Sequence, residues 1–200
     1  MILPGRVTRG GGRPGAGATA HNRRMTSRLP RSVRPVPPAP GQESVWDYPR
    51  PPALQQSDRR VVVRAGSVVI ADSTSAWRVL ETSHPPTWYI PRTDIDERHL
   101  RRSDARSSVC EWKGAATYWD VVGVPDGGDG SGTIPAVGWS YQTPTPRFVP
   151  ITGHLSFMPG QIECLIDGER VQPQAGGLYG GWITGDVVGP FKGDPGSWGW

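Results

Sequence analysis

Arg59-Arg-Val-Val-Val-Arg-Ala-Gly-Ser-Val-Val-Ile70 decides the fold class, because two β-branched runs flank Ala65-Gly66. Val and Ile suit a pleated, half-buried surface, and glycine tolerates the backbone of a tight turn, so the stretch reads as a β-hairpin. The same grammar recurs outward from it. Asp167-Gly168, between Ile162–Ile166 and Glu169–Val171, is a type I′ turn signal. Ser108–Val122 reads as a hairpin turning at Lys113-Gly114, Thr87–Ile90 as a short aromatic strand closed by Pro91, and Ala136–Tyr141 and Ile151–Met158 as further strands. Two short helices are expected, one over Asp72–Leu80 capped by Asp72 or Ser73, and one turn through Arg102 capped by Thr93 or Asp94. The result is an all-β chain with minor α, a small and mostly antiparallel sheet domain.

Charge divides the chain. Of 22 basic and 18 acidic side chains, eight arginines and no acid fall in residues 1–42, so this segment carries +8 and the remainder −4. All 17 aromatic residues lie in the remainder. Residues 1–42 therefore read as a disordered basic arm rich in Pro, Gly and Arg, since they hold too little apolar surface to offset chain entropy. Residues 43–200 read as one β-rich domain. Its last part, Gly176–Trp200, combines glycines with Tyr179, Trp182, Phe191, Trp198 and Trp200 and is expected to wrap the sheet.

The arm is a solvated tail, an electrostatic arm or a targeting segment. It has no apolar core for secretion, and Arg23-Arg24 is followed by no apolar run. Cys110 and Cys164 are the two cysteines, expected as reduced thiols in the cytoplasm. No stretch reaches the ~20 apolar residues that span a bilayer.

Metal and cofactor chemistry find no framework. There is no C-x-x-C, no H-E-x-x-H and no His pair at ligand spacing, and the glycines of 126–132 are not followed by Gly-Lys-Ser/Thr. The expectation is no metal and no cofactor. In Cys110-Glu-Trp-Lys113 a lysine near a cysteine suggests an activated nucleophile, although their odd spacing on a strand separates them unless the turn at Gly114 joins them. Glu81, at the end of an apolar segment, is a candidate acid or base. Trp88, Tyr89, Tyr118, Trp119, Trp139 and Tyr141 are the candidate ligand-binding aromatics. Strand alternation sets Trp88 against Tyr89 and Tyr118 against Trp119, half toward the core and half toward the other face.

These same residues carry a resemblance. Glu43–Pro52, Ile70-Ala-Asp-Ser73, Arg78-Val-Leu-Glu-Thr82, His84-Pro-Pro86, Trp88-Tyr-Ile-Pro91, Lys113-Gly114, Tyr118-Trp119, Val137–Tyr141 and Gly180–Gly193 together resemble the bacterial domain-of-unknown-function family 427, from about Glu43 to the C-terminus. The resemblance implies a fold similar to the β-tent folds, and it places the family pattern on Glu81, Tyr89, Cys110, Lys113, Tyr118, Trp119, Trp139 and Tyr141. Two positions depart from that pattern: Glu111 stands where a proline usually follows the cysteine, and Trp88 replaces a tyrosine. A negative charge beside Cys110 weighs against a nucleophile.

Three functions follow as expectations. The first is a small-molecule-binding module with an aromatic pocket anchored by Glu81 and Lys113. The second is a small enzyme using Glu81 as acid or base, or Cys110 as nucleophile. The third is a nucleic-acid-associated protein using the basic arm, against which the acidic body speaks. The expected partner is thus a small molecule of unknown identity, with no membrane.

Overall fold

The computed structural model describes residues 33–125 and 132–197. After β1 (Glu43–Ser44) come β2 (Ala53–Gln56), the hairpin β3 (Val61–Ala65) and β4 (Val68–Ser73), then β5 (Trp77–Leu80) and β6 (Thr87–Tyr89). The chain continues through β7 (Leu100–Arg102), β8 (Val109–Cys110), β9 (Gly114–Val122), β10 (Thr133–Tyr141) and β11 (Leu155–Phe157). It ends with β12 (Glu163–Ile166), β13 (Glu169–Arg170), β14 (Gln172–Pro173), β15 (Trp182–Ile183) and β16 (Val187–Val188). Pairing is antiparallel except between β1 and β16, and the helices among the described residues are short 3-10 turns.

The opening hairpin forms with its turn at Gly66-Ser67, where Gly66 takes φ +57°. Val61, Val63 and Ala65 are buried while Arg64 is exposed, the period of two expected of a strand. A bulge between Val63 and Arg64 leaves Ile70 as the extra residue of β4, which lets the neighbours Ile70 and Ala71 both turn inward. On the other side of β3 lies β12, and Asp167 (φ +50°) with Gly168 (φ +85°) makes the tight turn into β13. A second sheet runs β11-β10-β9-β7 with β8 on the start of β9, and a third runs β2-β5-β6. The main core joins Val61, Val63, Ile70 and Ile166 of the first sheet to Val121, Val137, Leu155 and Phe157 of the second, with Trp88 and Trp182.

Several expectations are corrected. Asp72–Leu80 is not a helix: Asp72 and Ser73 finish β4, and Trp77–Leu80 is the middle strand of the third sheet. Ser73 instead accepts from Ser75 N–H and donates to Asp94, a local turn that competes with helical caps. Past Pro91 there are two 3-10 turns, Arg92–Asp94 and Glu97–His99, the second capped by Asp96 accepting from Arg98 N–H. Leu100–Arg102 then pairs with β9, because an edge position was open there. Residues 146–151 form a 3-10 turn, so only Leu155–Phe157 is strand in that region. β10 begins at Thr133, ahead of the expected start at Ala136.

Residues 1–32, 126–131 and 198–200, with most of the arm, the glycines of the loop and the last two tryptophans, lie outside the described residues. Residues 33–42 were expected in the arm, yet Val33 is buried and Val36 N–H donates to Gly189 O at 2.9 Å. Among the described residues no helix is long and apolar enough to cross a membrane.

Candidate functional site

Strand parity builds the site. Across β9 and β10, Tyr118 stands opposite Trp139 and Ala116 opposite Tyr141, so these four side chains share one face. Trp119, one residue on, stands opposite Gly138 on the reverse face. There its indole N–H donates to Ser140 Oγ at 2.8 Å and Arg92 stacks 4.2 Å above the ring. The same split divides β6: Tyr89 joins the cluster of Trp139, Tyr141, Phe148 and Ile151, while Trp88 enters the main core 6.4 Å from Trp182. Of the nine candidates, Glu81, Tyr89, Cys110, Lys113, Tyr118, Trp139 and Tyr141 line one cavity of about 380 Å³, and Trp88 and Trp119 do not.

The deep part of this cavity is aromatic and polar-tipped. Trp139 Nε1–H donates to the Tyr89 hydroxyl at 3.2 Å, and the rings meet edge to face at 6.4 Å. Burial pushes the Tyr89 and Tyr141 hydroxyls well above the usual phenol range, so both stay protonated. The turn at 111–113, between β8 and β9, brings Cys110 and Lys113 to the same cavity, which the odd spacing alone would forbid. Lys113 is only 8% exposed, its ammonium 5.7 Å from the ring centres of both Tyr141 and Phe148.

One wall is charged but paired. Glu81 accepts from Trp112 Nε1–H at 3.0 Å and lies 3.5 Å from Arg50, which also reaches Glu111 at 3.3 Å and stacks on Trp112. A further part of the lining comes from the C-terminal wrap. Lys192 N–H donates to Ser83 O and Trp182 N–H to Pro86 O, each at 2.8 Å, tying this segment to the loop that carries His84. Gly180 has to be glycine, because a Cβ there would sit 2.1 Å from the Trp139 ring.

Gln174 donates to His84 Nδ1 at 3.1 Å and to Lys192 O at 2.7 Å, which leaves the histidine hydrogen on Nε2. Burial is the main influence on His84 and lowers its proton affinity. Tyr179 packs edge-on to His84 at 4.8 Å.

Arg50, His84, Trp112, Gln174, Tyr179 and Lys192 also line the cavity without having been among the nine candidates. Trp112 had a signal, lying inside the Cys110–Lys113 run, and His84 had one in its nearness to Glu81. Tyr179 and Lys192 had only the expectation that Gly176–Trp200 wraps the sheet, which does not say where the stretch passes. Among the described residues no group of three His, Cys, Asp or Glu side chains is placed to hold a metal ion.

No curated protein matches the sequence. A family model does match residues 53–168, more than half of the chain and including Glu81, Tyr89, Cys110, Lys113, Tyr118, Trp119, Trp139 and Tyr141. The chain therefore belongs to the family described as a domain of unknown function, DUF427.

Proposed function

We propose that the cavity binds a small organic molecule whose flat, apolar part lies against Tyr89, Tyr118, Trp139 and Tyr141. The observation that carries this reading is that aromatic side chains from separate strands border about 380 Å³ of space instead of closing on one another. Ligand pockets have volumes of roughly 300–1,000 Å³ with an apolar lining and a few convergent polar groups. An unfilled void forfeits dispersion contacts, so a side-chain set that holds one open gains when a ligand supplies them.

Pre-organisation supports the same reading. Trp139 is fixed by Tyr89, Tyr118 by Ser108 at 2.7 Å, and Trp112 by Glu81, so little side-chain freedom is left to lose on binding. The test is a thermal-shift screen of the full chain against metabolite-sized compounds. A ligand at about 100 times its dissociation constant adds about 2.7 kcal/mol. The expected result is a shift that disappears in Trp139→Ala, with far-UV circular dichroism confirming that the variant folds. A ligand whose shift survives Trp139→Ala and Tyr118→Ala would place binding elsewhere. Because Glu81 and Cys110 line the same cavity, turnover of the ligand found decides between a binding module and an enzyme.

A further inference from the structure

We infer that the ligand carries an oxyanion, a carboxylate or a phosphate, which seats on Lys113; this rests on the cavity being a binding site. Two cationic side chains are nearly buried among the described residues, and they are treated very differently. Arg78, 9% exposed, is held by Glu43 at 2.5 Å and by Gln55. Lys113, 8% exposed, has neither a carboxylate nor a hydrogen-bond acceptor among the described residues, and its ammonium lies 5.7 Å from the ring centres of Tyr141 and Phe148. A buried charge without a counter-charge is costly, and ring faces return only part of that cost, about 0.5–2 kcal/mol. An anion arriving in the cavity would complete the pair that Arg78 already has.

The other charges point to the same ligand sign. Both carboxylates on the wall are occupied: Glu81 and Glu111 share Arg50, and Glu81 also accepts from Trp112. A cationic ligand would have to displace Arg50. An anionic ligand displaces nothing. His84 adds a donor, because its Nδ1 is taken by Gln174 and the Nε2–H has no protein acceptor among the described residues. The ligand is therefore a flat ring bearing an oxyanion, with the ring on the aromatic face and the anion on Lys113.

The experiment uses the full chain and compounds that share a ring system: benzoate, benzamide and benzylamine in one series, AMP and adenosine in the other. Binding is read by thermal shift and by tryptophan fluorescence. The expected result is that benzoate or AMP binds at least tenfold more tightly than its neutral partner, the series showing the larger effect naming carboxylate or phosphate. Lys113→Met should abolish that preference, and Lys113→Arg should keep it. Equal binding of charged and neutral partners, or tightest binding by benzylamine, overturns the oxyanion and leaves the pocket standing. An anion preference that survives in Lys113→Met also overturns it. No binding by any of the five overturns the inference, while a Trp139-dependent shift with another compound would still uphold the pocket.

Discussion

The two apolar clusters on either side of the β9–β10 ribbon are built from the same strands yet differ in kind. In the main core the buried rings are Trp88, Phe157 and Trp182, Trp182 Nε1–H donates to Phe157 O at 3.0 Å, and the other buried side chains are aliphatic apart from the Cys164 thiol. In the second cluster nearly every ring ends in a polar atom, and the packing stops short, leaving the cavity. Alternation lets β6, β9 and β10 serve both faces at once, so one set of strands supplies a closed face for stability and an open one for contact.

Truncation should separate the faces most sharply. Phe157→Ala empties a fully buried site and is expected to cost about 3–5 kcal/mol. Tyr118→Ala, at a wall already bordered by space, is expected near 1 kcal/mol. Urea unfolding of both variants checks this, and equal losses would mean that the second cluster is as closed as the first.

A smaller effect tests the fit of the wrap. Gly180→Ala puts a methyl 2.1 Å from Trp139 Cη2, and overpacking of this sort costs about 1–3 kcal/mol. Gly160→Ala is the control, since its added methyl meets Pro173 at an ordinary 3.5 Å and should change little. Melting temperatures and tryptophan emission of the two variants report the difference. Tyr89→Phe follows at about 1–3 kcal/mol, because it leaves the buried Trp139 Nε1–H without its acceptor. The measurement is again urea unfolding, and a neutral result would show that water or another group takes over.

How far this could be read from sequence depended on whether the deciding partner lay nearby in the chain. The hairpin at 59–70 and the turn at Asp167-Gly168 carry their own signals, β-branched runs and left-handed turn residues, and both formed. Trp77–Leu80 did not announce itself, because its partners Ala53–Gln56 and Thr87–Tyr89 are separate segments and Arg78 is acceptable there only through Glu43 and Gln55. For the site, alternation correctly set Trp88 against Tyr89 and Tyr118 against Trp119, but it could not say which of each pair faced the cavity. The turn put Cys110 and Lys113 on the lining of one cavity, which their odd spacing on a strand alone would not. The wall of Tyr179, Gln174 and Lys192 depends on where a glycine-rich tail travels, which no local pattern encodes.

The smallest expected effect sets one buried group from each face, His84 and Cys164, at opposite ends of the pH scale. His84, on the pocket side, has its proton affinity lowered mainly by burial, with Lys192 and Arg50 adding to the effect and Glu81 opposing it. Its folded value lies below the ordinary 6.5, so the unfolded chain takes up the proton first. The stability is complete above pH 6.5 and declines as pH falls, by at most about 1.4 kcal/mol per pH unit. Asp72 and Glu163, held down by Arg60 and Arg64, act only below their ordinary 3.8 and 4.5, which leaves the interval from 6.5 to 4.5 to His84 among these groups.

Cys164, in the main core, is shifted the other way. Burial pushes its thiol well above 9.0, so its contribution is lost only as pH rises past that value. Melting temperature against pH should therefore show an acid slope that His84→Gln flattens and, between 9.0 and the 10.0 at which the raised tyrosine hydroxyls begin to act, an alkaline slope that Cys164→Ala flattens, each leaving the other in place. An acid slope unchanged in His84→Gln would mean that the histidine already meets solvent, and that the wrap does not close that wall of the cavity.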